Sequence, residues 1–208
     1  MRHIFLCVVF LATTITAIDA QGTAGWKLRV DRSTNAADPD AAGSVKFTPA
    51  GAGFHAVNPQ AATYWNPGNR ATGTYALKAN FTLLEPSNHT NYYGLVFAGS
   101  GLEGASQRYI YFMVAQDGTW LLKQRIGENT PTIARGASAA VKKPDTSGKS
   151  SNVVEVRVAP DKVDFVVNGT TVHSAPKSGA LASTDGTYGF RVNHFLNVQV
   201  DQLGVSKL

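Results

Sequence analysis

From Trp26 onward, apolar side chains recur at every second position in short bursts, each closed by glycine, proline, asparagine or aspartate. That period of two is the signature of strands with one buried and one wetter face, and almost nothing repeats at helical spacing. The pattern predicts strands over Trp26–Val30, Ser44–Thr48, Gly53–Val57, Ala62–Trp65, Thr74–Leu83, Tyr92–Ala98 and Tyr109–Val114. It continues through Thr119–Arg125, Val153–Val158, Lys162–Val167, Thr171–Ser174, Gly186–Val192 and Leu196–Val205. The predicted class is all-β, with antiparallel strands in two packed sheets.

The cleanest stretch is Val153 to Thr171. Val154, Val156 and Val158 alternate with Glu155, Arg157 and Ala159; then Val163, Phe165 and Val167 alternate with Asp164 and Val166. Together with Phe112 and Trp120, the inward members of this set are the predicted core. Asp117-Gly118, Asn168-Gly169 and Asp185-Gly186 are turn dipeptides, because both members accept positive φ. Asp31–Gly43 and Gly136–Ser151 read as long loops.

The N-terminus follows a different rule. Arg2 and His3 precede an apolar run from Ile4 to Ala12 and then small residues ending in Ile18-Asp19-Ala20. This is the order of a secretory signal peptide, and it predicts cleavage after Ala20, with Ala17 the alternative. The domain is therefore expected over residues 21–208, and the protein in the periplasm or the medium without a membrane anchor. The single cysteine, Cys7, lies inside the leader, so the exported chain would have no disulfide, no thiolate nucleophile and no cysteine-bound zinc. Losing the leader removes one base, Arg2, and one acid, Asp19, from totals of 19 and 14, and the formal charge stays at +5. The basic residues are scattered, which argues against a nucleic-acid partner.

The run Asn152–Val158, the strand Val163–Val167 with Asn168-Gly169, and the closing Gly186-Thr187-Tyr188-Gly189-Phe190-Arg191-Val192 with Val198–Val205 carry a resemblance. So do Gly25-Trp26 and Tyr109–Arg125. Together they resemble the concanavalin A-like lectin and glucanase superfamily, particularly laminin-G-like domains and the bacterial 3-keto-disaccharide hydrolase domain. The resemblance implies a jelly-roll sandwich and a carbohydrate-related role. The chain departs from the family's enzymes: it has no Glu-x-Asp-x-x-Glu strand, and Tyr93-Gly94-Leu95-Val96-Phe97 stands near the place of the hydrolase's Asn-Ser-Gly segment. Glycoside hydrolysis needs a pair of carboxylates flanking the bond, so catalytic residues stay unassigned.

The candidate ligand site begins at the hairpin Tyr109–Arg125. A three-residue loop, Gln116-Asp117-Gly118, would put Ile110, Phe112, Val114, Trp120 and Leu122 on the core face and Tyr109, Tyr111, Met113, Leu121, Lys123 and Arg125 on the other. A two-residue loop would pair Phe112 with Lys123; the first register is preferred because it leaves no charge inside. The second face combines rings with long donors, which suits saccharides. Arg191, Asn193 and His194 follow the Gly-Tyr-Gly-Phe strand and are expected to join it. Outer-sheet packing is the competing reading of these residues. His55 reads as a satisfied strand histidine, and His89 and His173 as surface residues. No cofactor is expected; Asp31, Asp38 and Asp40 would supply oxygens if calcium bound.

Three functions remain open at this point: noncatalytic binding of a saccharide or other extracellular polymer, hydrolysis of the 3-keto-disaccharide type, or a structural role in the cell envelope. The missing carboxylate pair leans toward the first.

Overall fold

A computed structural model of the protein describes residues 22–208, so the expected leader lies outside the described residues. The strands are β1 (Lys27–Asp31), β2 (Lys46–Ala50), β3 (Gly53–Asn58), β4 (Ala61–Ala71), β5 (Tyr75–Glu85), β6 (Tyr92–Ser100) and β7 (Arg108–Ala115). They continue with β8 (Thr119–Ile126), β9 (Thr132–Ala137), β10 (Ser150–Val158), β11 (Lys162–Val167), β12 (Thr170–Pro176), β13 (Gly186–Val192) and β14 (Leu196–Lys207). A single turn of 3-10 helix spans Gly179–Leu181.

These strands form two seven-stranded antiparallel sheets, ordered β1-β4-β13-β6-β7-β8-β9 and β12-β11-β10-β5-β14-β3-β2. The core lies between them, as alternation requires: Tyr75, Leu77, Ala79, Phe81 and Leu83 of β5 all point inward. Val154, Val156, Val158, Phe165, Val167 and Phe112 are fully buried and Trp120 nearly so, as predicted. At one end Trp26, Phe47, Phe54, Tyr64 and Phe190 form an aromatic cluster; Tyr64 and Phe190 stack with centroids 4.7 Å apart.

The β7–β8 hairpin takes the three-residue loop. Val114 pairs with Trp120, Phe112 with Leu122 and Tyr111 with Lys123. Gly118, at φ +91°, closes the turn by donating its N–H to Ala115 O. At Asn168-Gly169 both φ values are positive, 49° and 82°, which is the tight two-residue turn between β11 and β12.

Three expectations are corrected. The second face of β7 is not wet: Tyr109, Tyr111 and Met113 join Trp65, Val96 and Leu102 in a separate apolar cluster, with Leu102 supplied by the loop before β7. His173 is half-buried in the middle of edge strand β12 and stacks on Trp120 and Phe165, with centroids 5.2 and 5.8 Å away, and burial lowers its pKa. The loop expected from Gly136 starts later, because Thr132–Ala137 is an edge strand bonded to β8.

Candidate functional site

An open cleft of about 560 Å³ lies on the outer face of the first sheet. β1 contributes Arg29 and Asp31; β7, Tyr111 and Met113; β8, Leu121, Lys123 and Arg125; β13, Arg191, followed by Asn193 and His194. The loop after β1 adds Arg32–Asn35 and Asp40, and the turn after β8 adds Glu128 and Thr130.

Arg191 organises the floor. It is 8% exposed and donates to Asp31, to Thr63 Oγ1 at 3.0 Å, to Tyr109 OH at 3.2 Å and to Asn193 Oδ1 at 3.3 Å. Its guanidinium also lies over the Tyr111 ring, 5.6 Å from the centroid. Burial opposes the charge on Arg191, but Tyr109, Asp31 and Tyr111 outweigh it and hold the pKa above its ordinary value. Toward Tyr109 and Tyr111 of β7, Gly94 stands in register between Arg191 and Met113, so β6 puts no side chain in the way. A Cβ on Gly94 would sit 2.2 Å from Phe112 O and 2.7 Å from Met113 Cα.

Asp31 answers more than one cation. Besides Arg191 it meets Arg125 Nη2 at 3.4 Å and Arg29 Nε at 3.5 Å. Buried Gln107, in the orientation that satisfies its amide, presents its oxygen to Arg29 and Arg125 at 3.1 and 3.2 Å. Arg125 donates to Gly127 O as well, at 2.6 Å. Lys123 has no salt-bridge partner among the described residues. Desolvation lowers its pKa, and the charges of Arg191 and Arg125 lower it further.

The structure thus brings Tyr111, Lys123, Arg125, Arg191, Asn193 and His194 to one cleft, while Tyr109, 1% exposed, lies beneath it and supports Arg191. Burial pushes the Tyr111 hydroxyl up to about 12, against the opposing pull of Arg191. Its ring is turned to Arg191 rather than to solvent, so it is not a stacking platform for a sugar. Sequence reasoning missed Arg29 and Thr63, although Arg29 and Asp31 share a face of β1 by simple alternation. It offered Asp31 as a calcium ligand beside Asp38 and Asp40, and the structure separates them. Asp31 belongs to the arginines, whereas Asp40 accepts from Ser33 N–H at 2.8 Å and meets His194 Nδ1 at 3.2 Å. His55 is satisfied by Asn197 Oδ1 at 2.6 Å.

No family profile matches the chain, and no curated protein resembles it closely enough in sequence to count as a relative. Solved structures do share its fold. The carbohydrate-binding module CBM66 from Bacillus subtilis superposes with a TM-score of 0.62 at 9% identity, over 88% of this chain and 96% of that one. A Bacillus subtilis protein of unknown function with a galectin-like fold gives 0.57 at 15% identity, over 88% and 89%. A putative glycosyl hydrolase from Parabacteroides distasonis gives 0.53 at 13% identity, over 92% of each chain. Together with the two-sheet topology, these likenesses establish the fold as a concanavalin A-like jelly-roll sandwich.

Proposed function

We propose that the protein is an exported, noncatalytic binder of acidic saccharides, and that the cleft on the first sheet is where they bind. One observation carries this reading: Arg29, Arg125 and Arg191 gather around a single carboxylate, Asp31, and Lys123 lines the same cleft without a salt-bridge partner among the described residues. A half-desolvated cluster with surplus positive charge favours an anionic group, and bidentate guanidinium donors suit carboxylate or sulfate oxygens. Asn193, Thr130 and Ser33 on the rim offer hydrogen bonds to hydroxyl groups. The neighbouring folds described as a carbohydrate-binding module and a glycosyl hydrolase support a saccharide as the ligand class, and the leader-like residues 1–20 support export.

Binding without turnover is favoured by the state of the carboxylates. Asp31 is engaged by arginines and Asp40 by Ser33 and His194, which leaves Glu128 without a paired acid free to share hydrolysis. The test is affinity for uronic-acid and sulfated polysaccharides against neutral glucans, in wild type and in Lys123→Gln. The expected result is salt-sensitive binding to the acidic polymers alone, weakened about tenfold or more by K123Q without loss of melting temperature. Equal affinity for neutral glucans, or unchanged binding by K123Q, would overturn the proposal.

A further inference from the structure

At the end of the cleft marked by Asp40 and His194, three groups converge that play no part in the arginine cluster. Asp38 comes from the loop between β1 and β2, His89 from the loop between β5 and β6, and His194 from the turn between β13 and β14. His89 Nε2 lies 3.1 Å from Asp38 Oδ1, His194 Nε2 lies 3.3 Å from Asp38 Oδ2, and the two Nε2 atoms are 3.4 Å apart. Metal–nitrogen and metal–oxygen bonds of about 2.0–2.1 Å in a tetrahedron give ligand–ligand edges of roughly 3.3 Å. The two nitrogens lie at that spacing, and each is as close to one oxygen of the Asp38 carboxylate.

The opposite ring nitrogens fix the tautomers. His89 Nδ1 lies 2.6 Å from Asn88 Oδ1, and His194 Nδ1 lies 3.2 Å from Asp40 Oδ1; both oxygens only accept, so each Nδ1 carries the proton. Both Nε2 lone pairs therefore face one another and a carboxylate at close range, an arrangement that calls for a metal ion or a proton between them. Asn91 Nδ2 donates one hydrogen to Ser87 Oγ and holds the other 3.0 Å from His89 Nε2, a contact that a bound ion would displace. Asp40 is oriented in turn by the Ser33 N–H, while Ser33 Oγ donates to Asp38 O at 2.7 Å. A carboxylate behind a ligating histidine is the usual support of a metal site.

We infer that Asp38 with His89 and His194 binds a divalent transition-metal ion of the zinc type, through two Nε2 atoms and one carboxylate. Two imidazole nitrogens suit zinc and do not suit calcium, which takes oxygen ligands. The fourth position faces solvent on the side of Asp38 and His89, whose side chains are 44% and 38% exposed, and is open to water. An ion there would join three segments that the strands alone leave independent. The inference stands whether or not the cleft binds saccharides.

The test is titration of chelator-treated protein without a histidine tag by Co²⁺ and then Zn²⁺. Expected are the visible bands of a four-coordinate Co²⁺ site saturating at one ion per chain, their loss when Zn²⁺ displaces it, no competition from Ca²⁺, and a higher melting temperature with Zn²⁺. His89→Ala and Asp38→Asn, at half-exposed positions, should abolish the bands while the metal-free proteins melt as the wild type does. Asp40→Asn should weaken affinity about 10–100-fold. Failure of the wild type to bind Co²⁺ or Zn²⁺ in the micromolar range would show that a proton fills the gap and overturn the site. So would undiminished binding by the His89 and Asp38 variants, or preference for Ca²⁺.

Discussion

Arg191 keeps its charge where water hardly reaches, and the nearest compensation is Asp31, 160 residues away in the chain. Removing one member of a buried pair leaves the other uncompensated, so Asp31→Asn should lower unfolding free energy by about 3–5 kcal/mol. Urea denaturation checks this; an unchanged midpoint would mean that the other acceptors, Thr63, Tyr109 and Asn193, hold Arg191 by themselves. Lys123 makes the opposite case. Its folded pKa lies below the ordinary 10.5, so between those two values the unfolded chain binds more protons and stability rises with pH. K123Q should therefore be at least as stable as wild type at pH 7 and lose that advantage as the pH approaches 10.5. At this scale the sequence was half informative. Alternation picked out Lys123, Arg125 and Arg191, because the pleat alone decides which side chains share a face. Tyr109 is buried in a cluster that includes a loop residue, Leu102, that no periodicity connects to it, and the hold of Arg125 and Arg191 on Asp31 was hidden because those arginines lie on distant strands.

The hairpin β7–β8 shows what a turn can specify. Its loop set the register, and the register set which residues line the cleft, all within one stretch of chain. β9 escaped detection because it is a short edge strand, Thr132–Ala137, half exposed and with Ile133 its only large apolar residue. The β6 contribution was also hidden, since it is an absence: Gly94 gives Arg191 its path across the sheet. Gly94→Ala would force a methyl group against the β7 backbone at 2.2 Å. The expected cost is about 1–3 kcal/mol by urea denaturation, together with weaker binding of acidic saccharides by the molecules that remain folded. If the variant is as stable as wild type and binds as well, the close approach of β6 and β7 does not matter to the site.

Across the whole molecule, Tyr64, Tyr75, Tyr93, Tyr109 and Tyr111 are buried. Of the seven tyrosines, Tyr64, Tyr75, Tyr93, Tyr111 and Tyr188 have pKa values raised, in each case chiefly by burial. Such groups add stability that is intact below the unfolded value of 10.0 and is lost as pH rises through the folded values. Phenolate absorbance should therefore include a cooperative jump, above the ordinary value of 10.0, as the fold opens; smooth titration of all seven near 10 would contradict the packing. The second sheet has a further property. β14, the last strand in the sequence, sits in its interior between β5 and β3, and without it that sheet is two separate pieces. The chain cannot close this sheet until Leu196–Lys207 is in place between β5 and β3. Closure of the sheet thus rests on long-range contacts, with Asn197 of β14 meeting His55, 142 positions earlier in the chain, the kind of pairing that forms slowly.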